Sequence, residues 1–420
     1  MVVLCGDVLK STVVSVAHER SGPPAGDALE VLRATLLLGL TSFGGPIAHL
    51  AYFEREYVQK RRWLRPEEYA HLIALCQILP GPTSSQVGFL VGLRRAGWAG
   101  ALAAWAGFTL PSAVLMYLLA RALPSAPGLQ LRAILHGLTL AAVVVVAQAL
   151  WSMARSNCRG WMPAAIAVLS ALALLLRAEA TTQVAVLFGA GILGRLFLSA
   201  PVRDGVVVQG NPGTRAGTLA AATFVCLLIA LPLLAARDPH GPVALASIFY
   251  RAGALVFGGG HVVLPLLHEG LAPGAWIGDP QFLAGYGFAQ AMPGPLFTFA
   301  AYVGALASPS HTAVAWAAAA LLAIFLPGLL LAVAGLSSWS RLARLRAFQG
   351  AITGVNAAVV GILAAAFYSP LASTTVHGPA DALTTLAGLA ILGWRRTASL
   401  AVVVFCVLAA LLSAAVLAGR

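Results

Sequence analysis

Charge is scarce in this sequence. Only 14 of 420 residues are Asp or Glu, and charged residues of both signs make up 10% of the chain. Soluble domains carry roughly 25%, so this chain cannot cover a water-facing surface, and a soluble globular domain is excluded. Cysteine is also sparse. Cys5, Cys76, Cys158, Cys226 and Cys406 stand singly, at no spacing that suits a metal site or a disulfide framework, and most fall in apolar runs as small hydrophobes. Alternating strand-like segments are missing, which excludes a β-barrel. There is no Gly-x-x-x-x-Gly-Lys loop, which argues against a primary pump within the chain. Paired acids, a His-rich set and a nucleophile spaced from a base are lacking too, which argues against an intramembrane enzyme. Residues 1–27 have neither a sustained apolar core nor a small-residue cleavage site, and are expected to form a cytoplasmic tail rather than a signal peptide.

Apolar residues are abundant instead: 60% of the chain, with a mean hydropathy of +0.87. Long runs without charge cover Ala99–Ala120, Ala133–Ala154, Met162–Leu176, Ala178–Gly194, Ala216–Ala236, Thr312–Leu336, Ala347–Tyr368, Pro379–Trp394 and Thr397–Gly419. Most approach the ~20 residues a helix needs to cross a bilayer. The net charge of +12 arises from Lys and Arg lying between these runs, where they set topology; a nucleic-acid partner is not expected.

The chain also repeats itself. Phe43-Gly44-Gly45 returns as Phe257-Gly258-Gly259, Trp63 as Trp276, Gln77 as Gln290 and Pro80-Gly81-Pro82 as Pro293-Gly294-Pro295, at an almost constant offset. Equivalent loops carry opposite charge bias. Lys60, Arg61, Arg62, Arg65, Arg94 and Arg95 have no Lys or Arg at their counterparts in 268–281 and 305–311, whereas Arg341, Arg344 and Arg346 face a first-half loop holding only Arg121 and Arg132. Under the positive-inside rule the halves are oppositely oriented, and the unmatched run Ala216–Ala236 is the extra crossing that inverts the second copy. The expected architecture is an all-α polytopic integral membrane protein. Two inverted-topology repeats, each with broken, re-entrant helices and four full spans, are joined by an extra transmembrane helix. The corresponding segments are a tail over 1–27, a repeat over 28–200, a linker with its helix over 201–240 and a repeat over 241–420.

The breaks carry the chemistry. Irregular backbone at membrane depth survives only inside protein or beside a watery cavity. A helix restarting after Pro-Gly-Pro offers free N–H groups and the positive end of its dipole, which suits a small anion, a tetrahedral oxyanion in particular. Thr83, Ser84 and Ser85 add hydroxyls in the first copy and Thr298 in the second; Gln77 and Gln290 could donate side-chain amides. Together with Gly44, Gly45, Pro80, Gly81, Pro82, Gly258, Gly259, Gly260, Pro293, Gly294 and Pro295, these form the candidate substrate site. Packing turns and ordinary helix caps explain the same residue types. Among ionisable groups, His49, Glu54 and Glu56 follow the first break and His261, His268 and Glu269 the second; His261, Glu54 and His49 are the candidates for coupling, since buried charge is costly. Arg33 and Arg251 precede the breaks without aligning with each other, so neither is a ligand shared by the repeats.

Ser42-Phe43-Gly44-Gly45-Pro46, Trp63-Leu64, Gln77-Ile78-Leu79-Pro80-Gly81-Pro82 and Phe257-Gly258-Gly259-Gly260-His261 through Met292-Pro293-Gly294-Pro295 resemble the chromate ion transporters in their duplicated, single-chain form. The resemblance covers about residues 28–370, and the last two spans match only in hydropathy. It implies a multi-pass carrier of the bacterial inner membrane that exports chromate, confers resistance and draws on the proton motive force. Chromate is then the transported anion, with sulfate as a close analogue, protons as the coupling ion and no cofactor. One departure is Pro46 where the second copy has Gly260, so the half-sites need not be equivalent. A sulfate or other oxyanion transporter and a passive anion channel remain the alternatives, and a homodimer remains open.

Overall fold

A computed structural model describes residues 27–420 except 44, 123–128, 178–179, 199–212, 257–262, 272–275, 343–345, 374, 396–398 and 419–420. Among the described residues all regular structure is helical. The first half runs α1 (Ala28–Thr41), α2 (Gly45–Phe53), a π-helical turn (Glu54–Lys60), α3 (Pro66–Ile78), α4 (Thr83–Ala122), α5 (Leu129–Asn157), α6 (Trp161–Leu176) and α7 (Ala180–Phe197). After α8 (Thr214–Ala235) the same grammar returns. The second half has α9 (Pro242–Leu255), α10 (Val263–Leu271), α11 (Asp279–Ala291), α12 (Phe299–Leu306), α13 (Ala313–Leu342), α14 (Arg346–Ala366), α15 (Pro379–Arg395) and α16 (Ser399–Ala418).

The repeat is visible in the helix boundaries. Both ends of α9 follow those of α1 at the offset that separates the Phe-Gly-Gly strings, and both ends of α11 follow those of α3 at the offset of the Pro-Gly-Pro strings. Local chemistry sets these ends. Asp27 caps α1 by accepting from the Leu29 amide at 3.2 Å, Pro66 opens α3, and Pro242 and Pro280 sit in the first turns of α9 and α11, where a missing N–H costs nothing. Arms α1 and α9 have 14 residues and α3 and α11 have 13, about 20 Å at 1.5 Å per residue and too short to cross.

Helix α4 folds back at Ala96 and Gly97, whose backbone leaves the helical region, and the backbones of Gly92 and Gly100 then meet across the bend. The second copy makes the same hairpin from α12 and α13, with Gly304 against Trp316 and Ala317. Among the described residues five helices have the length and apolarity to cross a membrane, namely α4, α5, α8, α13 and α14; the shorter apolar helices are α6, α7, α9, α15, α16 and the segment Leu296–Leu306. Apart from α9 and that segment, they correspond to the nine apolar runs. Large apolar side chains lie bare on the outside, Leu176, Trp161, Phe188, Leu219 and Leu412 among them, as a lipid-facing surface requires and water would not tolerate.

Packing interlocks the halves. Helix α1 packs on α4 and α9 on α13, within each repeat, but α5 of the first half packs against α15 and α16 of the second, and α14 of the second against α6 and α7 of the first. Helix α8 lies against α9 and α13 on the periphery. The broken regions of the halves also meet directly, α4 packing on α11, α12 and α13 and α3 on α13.

Candidate functional site where the broken helices cross

The first repeat breaks its inward arm at Ser42, which caps α1 through its N–H to the Leu38 carbonyl (2.9 Å) and then extends. It breaks the returning arm after Ile78, where Leu79 is extended and Gly81 has φ +120°. The second repeat extends at Val256 and again at Met292, with Gly294 at φ +92°. Each broken arm is completed by the other repeat. The Gly81 amide donates to the Val256 carbonyl at 2.7 Å, and the Gly294 amide donates to the Ser42 carbonyl at 2.9 Å. Donors and acceptors occupy equivalent repeat positions, so the pair of bonds is reciprocal.

Glycine is required at both points. A Cβ on Gly81 would come within 2.8 Å of the Gly328 Cα, and one on Gly294 within 2.7 Å of Ser112 Oγ. Gly328 follows Pro327 in α13, and Ser112 follows Pro111 in α4. Gln86 locks the first crossing: its Nε2 donates to the Pro80 and Gly328 carbonyls, both at 2.9 Å. In the second copy Thr298 turns its hydroxyl back to the Pro295 carbonyl (2.9 Å), in a short 3-10 turn before α12.

A continuous set of contacts joins the two crossings. His49, 2% exposed, places Nδ1 3.4 Å from Ser84 Oγ in the first turn of α4. Its ring meets Phe108 edge-on at 5.3 Å, and the Phe108 carbonyl flanks Gly294. Ser112 Oγ donates to the Thr109 carbonyl at 3.2 Å. Around this line, Ser42 Oγ, Ser85 Oγ, Gln86 Oε1 and Thr109 Oγ1 are buried with no hydrogen-bond partner among the described residues. Buried polar atoms are rarely left so. The restart of α4 therefore combines a helix N-terminus with unmet hydroxyls, a setting that can take up a small oxyanion or ordered water.

The structure brings Pro80, Gly81, Pro82, Thr83, Ser84, Ser85, Gly294, Pro295, Thr298 and His49 to the crossings, with Gly45 (φ +79°) opening α2 beyond the first break. Pro293 is half-buried just before Gly294. Gln290 is buried but pairs with Tyr286 on its own helix. Gln77 and Glu54 are exposed and are not brought there. Gly44, Gly258, Gly259, Gly260 and His261 lie outside the described residues. Among the described residues, no cluster of three or more His, Cys, Asp or Glu could hold a metal ion.

A second polar feature lies at the end marked by the 60–65 basic cluster. Trp63 stacks on Tyr57 at 5.4 Å, with Arg61 and Arg95 over its ring at 5.2 and 5.4 Å. Glu56 bonds Arg61 at 2.6 Å and Lys60 at 3.2 Å, Glu30 pairs with Arg95 at 3.0 Å, and Glu68 pairs with Arg94 at 3.1 Å. Burial opposes the charge on Glu56, but the bonds and charges of Arg61 and Lys60 prevail and hold its carboxyl below the usual carboxylate range. The network ties α1, the π-helical turn, α3 and α4 into one end plate.

The chromate transporter profile matches residues 29–195 and again 243–413, the two interlocked halves. The chain belongs to the chromate transporter family. It is similar to a probable chromate transport protein of Synechococcus elongatus, 27% identical over 346 residues that cover 82% of this chain and 84% of that protein. A chromate transport protein of Pseudomonas aeruginosa is 26% identical over 348 residues, 82% of this chain and 81% of its own. One from Cupriavidus metallidurans is 28% identical over 335 residues, 79% of each chain. No solved structure matches the chain. As a chromate transporter family member with several long apolar helices, it is a multi-pass membrane protein.

Sequence reasoning missed Ser42, Gln86, Thr109, Ser112, Val256 and Gly328. A signal existed for some of them. Thr83-Ser84-Ser85-Gln86 has the capping-box pattern, although Gln86 reaches past the cap to the other repeat. The matched Leu110-Pro111 and Leu326-Pro327 mark the helix positions the Pro-Gly-Pro turns press against. Nothing local marks Val256, which acts through its carbonyl alone.

Proposed function

We propose that the protein is a secondary transporter of a divalent tetrahedral oxyanion, chromate, and that it exports the ion from a bacterial cell across the inner membrane at the expense of the proton motive force. The reciprocal crossing of the two broken arms carries this reading. It puts a helix restart, unmet buried hydroxyls and free backbone conformations in one protein-enclosed place, where a dianion's oxygens can be met by N–H and O–H donors. The names of the similar proteins supply chromate; a helix restart beside unmet hydroxyls supports a small oxyanion, for which sulfate is a close analogue of chromate. Close backbone packing of Gly81 on Gly328 supports a carrier with an occluded centre over an open channel.

In this reading residues 28–200 and 241–420 are inverted repeats joined through 201–240, the N-terminus is cytoplasmic, and α8 supplies the crossing that inverts the second copy. His49, held against Ser84, is the described candidate for sensing the proton or the anion, with His261 and Glu54 as the other two. Labelled chromate and sulfate uptake into inverted vesicles, with and without an uncoupler, tests the proposal. Chromate accumulation abolished by the uncoupler is expected; flux that persists unchanged would make the protein a channel.

A further inference from the structure

Arg251 and Glu269 are charged residues in an apolar region, and neither belongs to the crossing. They line one cavity of about 460 Å³ between α7, α9 and α10, together with Gln183 and Thr181, and apolar walls that include Phe188 and Leu255. Its position is informative. Leu255 immediately precedes Val256, whose carbonyl receives the Gly81 amide. Arg251 lies just over one helical turn before Val256, about 7 Å along α9. One wall of the cavity is thus the sequence neighbour of the crossing, while Val184, Ala185 and Phe188 form its rim on the exposed face of α7.

The charges have unequal freedom. An arginine keeps its charge at any working pH and offers a planar fork suited to an oxyanion, and at membrane depth it is costly unless it faces a polar space. Glu269 can titrate, and Gln183 Nε2 donates to its Oε2. Among the described residues, facing groups on the packed elements are few. Helix α7 presents Gln183 and Thr181, neither titratable; α9 presents Arg251; His268 on α10 is held by Asp279 at 2.9 Å. Helix α14, which packs on α7 and α10, has no titratable side chain between 347 and 366. With Glu269 ionised the described lining is neutral overall; with its carboxylate protonated it is a net cation.

We infer that this cavity is a second oxyanion site, a vestibule to the crossing, in which Arg251 binds the dianion and the charge on Glu269 limits its occupancy. This rests on the transport reading above. The repeat offers no twin, since Leu37 and Arg55 stand at the positions equivalent to Arg251 and Glu269, so the vestibule serves one face of the membrane only.

The test uses the full chain with its five cysteines replaced by serine and Ala185→Cys placed in the cavity wall. Modification rates are compared for sulfonatoethyl methanethiosulfonate, an anion, and trimethylammonioethyl methanethiosulfonate, a cation, alongside chromate flux in proteoliposomes. The anionic reagent should react faster. Arg251→Gln should reduce that preference about tenfold, the scale of one partly screened charge, and raise the KM for chromate, while Arg251→Lys should retain most of the preference. The ratio of anionic to cationic rate, in which the loss of cysteine thiolate in acid cancels, should rise as pH falls, and Glu269→Gln should hold that ratio high and flat. Equal rates for both reagents, or a preference untouched by Arg251→Gln and by Arg251→Lys alike, would overturn the vestibule. A preserved charge preference without any chromate flux would instead overturn the transport reading and leave the anion site standing.

Discussion

The amide of Gly81 donates to the carbonyl of Val256, 2.7 Å away in the other repeat. Its counterpart, Gly294 to Ser42 at 2.9 Å, repeats the bond with the roles of the halves exchanged. A broken helix at membrane depth leaves backbone groups that lipid cannot satisfy, and here each repeat supplies the acceptor that the other lacks. Neither half can move its Pro-Gly-Pro turn without disturbing the other's break.

Substitution at these glycines should therefore cost far more than at a glycine free of contacts. Gly81→Ala and Gly294→Ala combine a left-handed backbone with a collision against Gly328 or Ser112, and about 2–4 kcal/mol of destabilisation is expected. Gly45→Ala meets no atom within 4 Å and bears only the φ of +79°, about 1–2 kcal/mol. Heating the detergent-solubilised variants and scoring the monodisperse fraction compares them; equal losses at Gly45 and Gly81 would refute the clamped crossing.

The restart of α4 should be intolerant of negative charge. Ser84→Ala removes one hydroxyl and should weaken uptake only a few-fold, since a neutral hydrogen bond is worth about 1 kcal/mol. Ser84→Asp should lower it about a hundredfold or more, because like charges near 4 Å repel by about 4 kcal/mol at an effective dielectric of about 20. Leu296→Asp, at the restart of the second copy, should do the same. Uptake per inserted protein is the measurement, and an active Ser84→Asp variant would move the anion path elsewhere.

Gln86 should prove structural in a specific way. Its Nε2 serves the Pro80 carbonyl of its own repeat and the Gly328 carbonyl of the other, so Gln86→Leu should cost about 1–3 kcal/mol. Gln86→Glu should be worse, since an ionised carboxylate has no hydrogen to give and would face two oxygens. If Gln86→Glu equals wild type in thermal stability, the side chain is oriented otherwise.

Acid should loosen the end plate. Because the Glu56 carboxyl is held below its ordinary range by Arg61 and Lys60, its contribution is complete above about pH 4.5, near the free carboxylate value, and disappears as pH falls through the lowered folded value. Limited proteolysis near 54–65 should accelerate in that window, and Glu56→Gln should be fast at all pH values. A pH-independent cleavage rate in the wild type would show that the pair does not hold this turn.

Opposite orientation of the repeats predicts that reporter fusions after Arg65 and after Trp276 fall on opposite sides of the membrane. Both reporting one side would mean that the halves are parallel.

Much of this protein was legible in its sequence, because the relevant signals are local or periodic. Low charge and long apolar runs determine that the chain lives in a bilayer; the recurrence of Phe-Gly-Gly and Pro-Gly-Pro determines that it is duplicated and where its helices break; and the quoted motifs place it in its family. The apolar runs also located nine apolar helices to within a few residues. The sequence could not say which carbonyl a freed amide would choose. Gly81 finds Val256, and Gln86 finds Gly328, because the halves pack on each other, α3 and α4 against α13 and α4 against α12. Gln77 and Gln290 match in the sequence, yet one ends exposed and the other buried beside Tyr286, since identical helix positions meet different neighbours once the repeats interlock. The cavity of Arg251 and Glu269 belongs to the same class: it is formed by α7 of one half closing on α9 and α10 of the other, and pattern along a single chain carries no record of such a meeting. Composition and spacing fix what each segment must bury or break, while long-range packing alone decides what it touches.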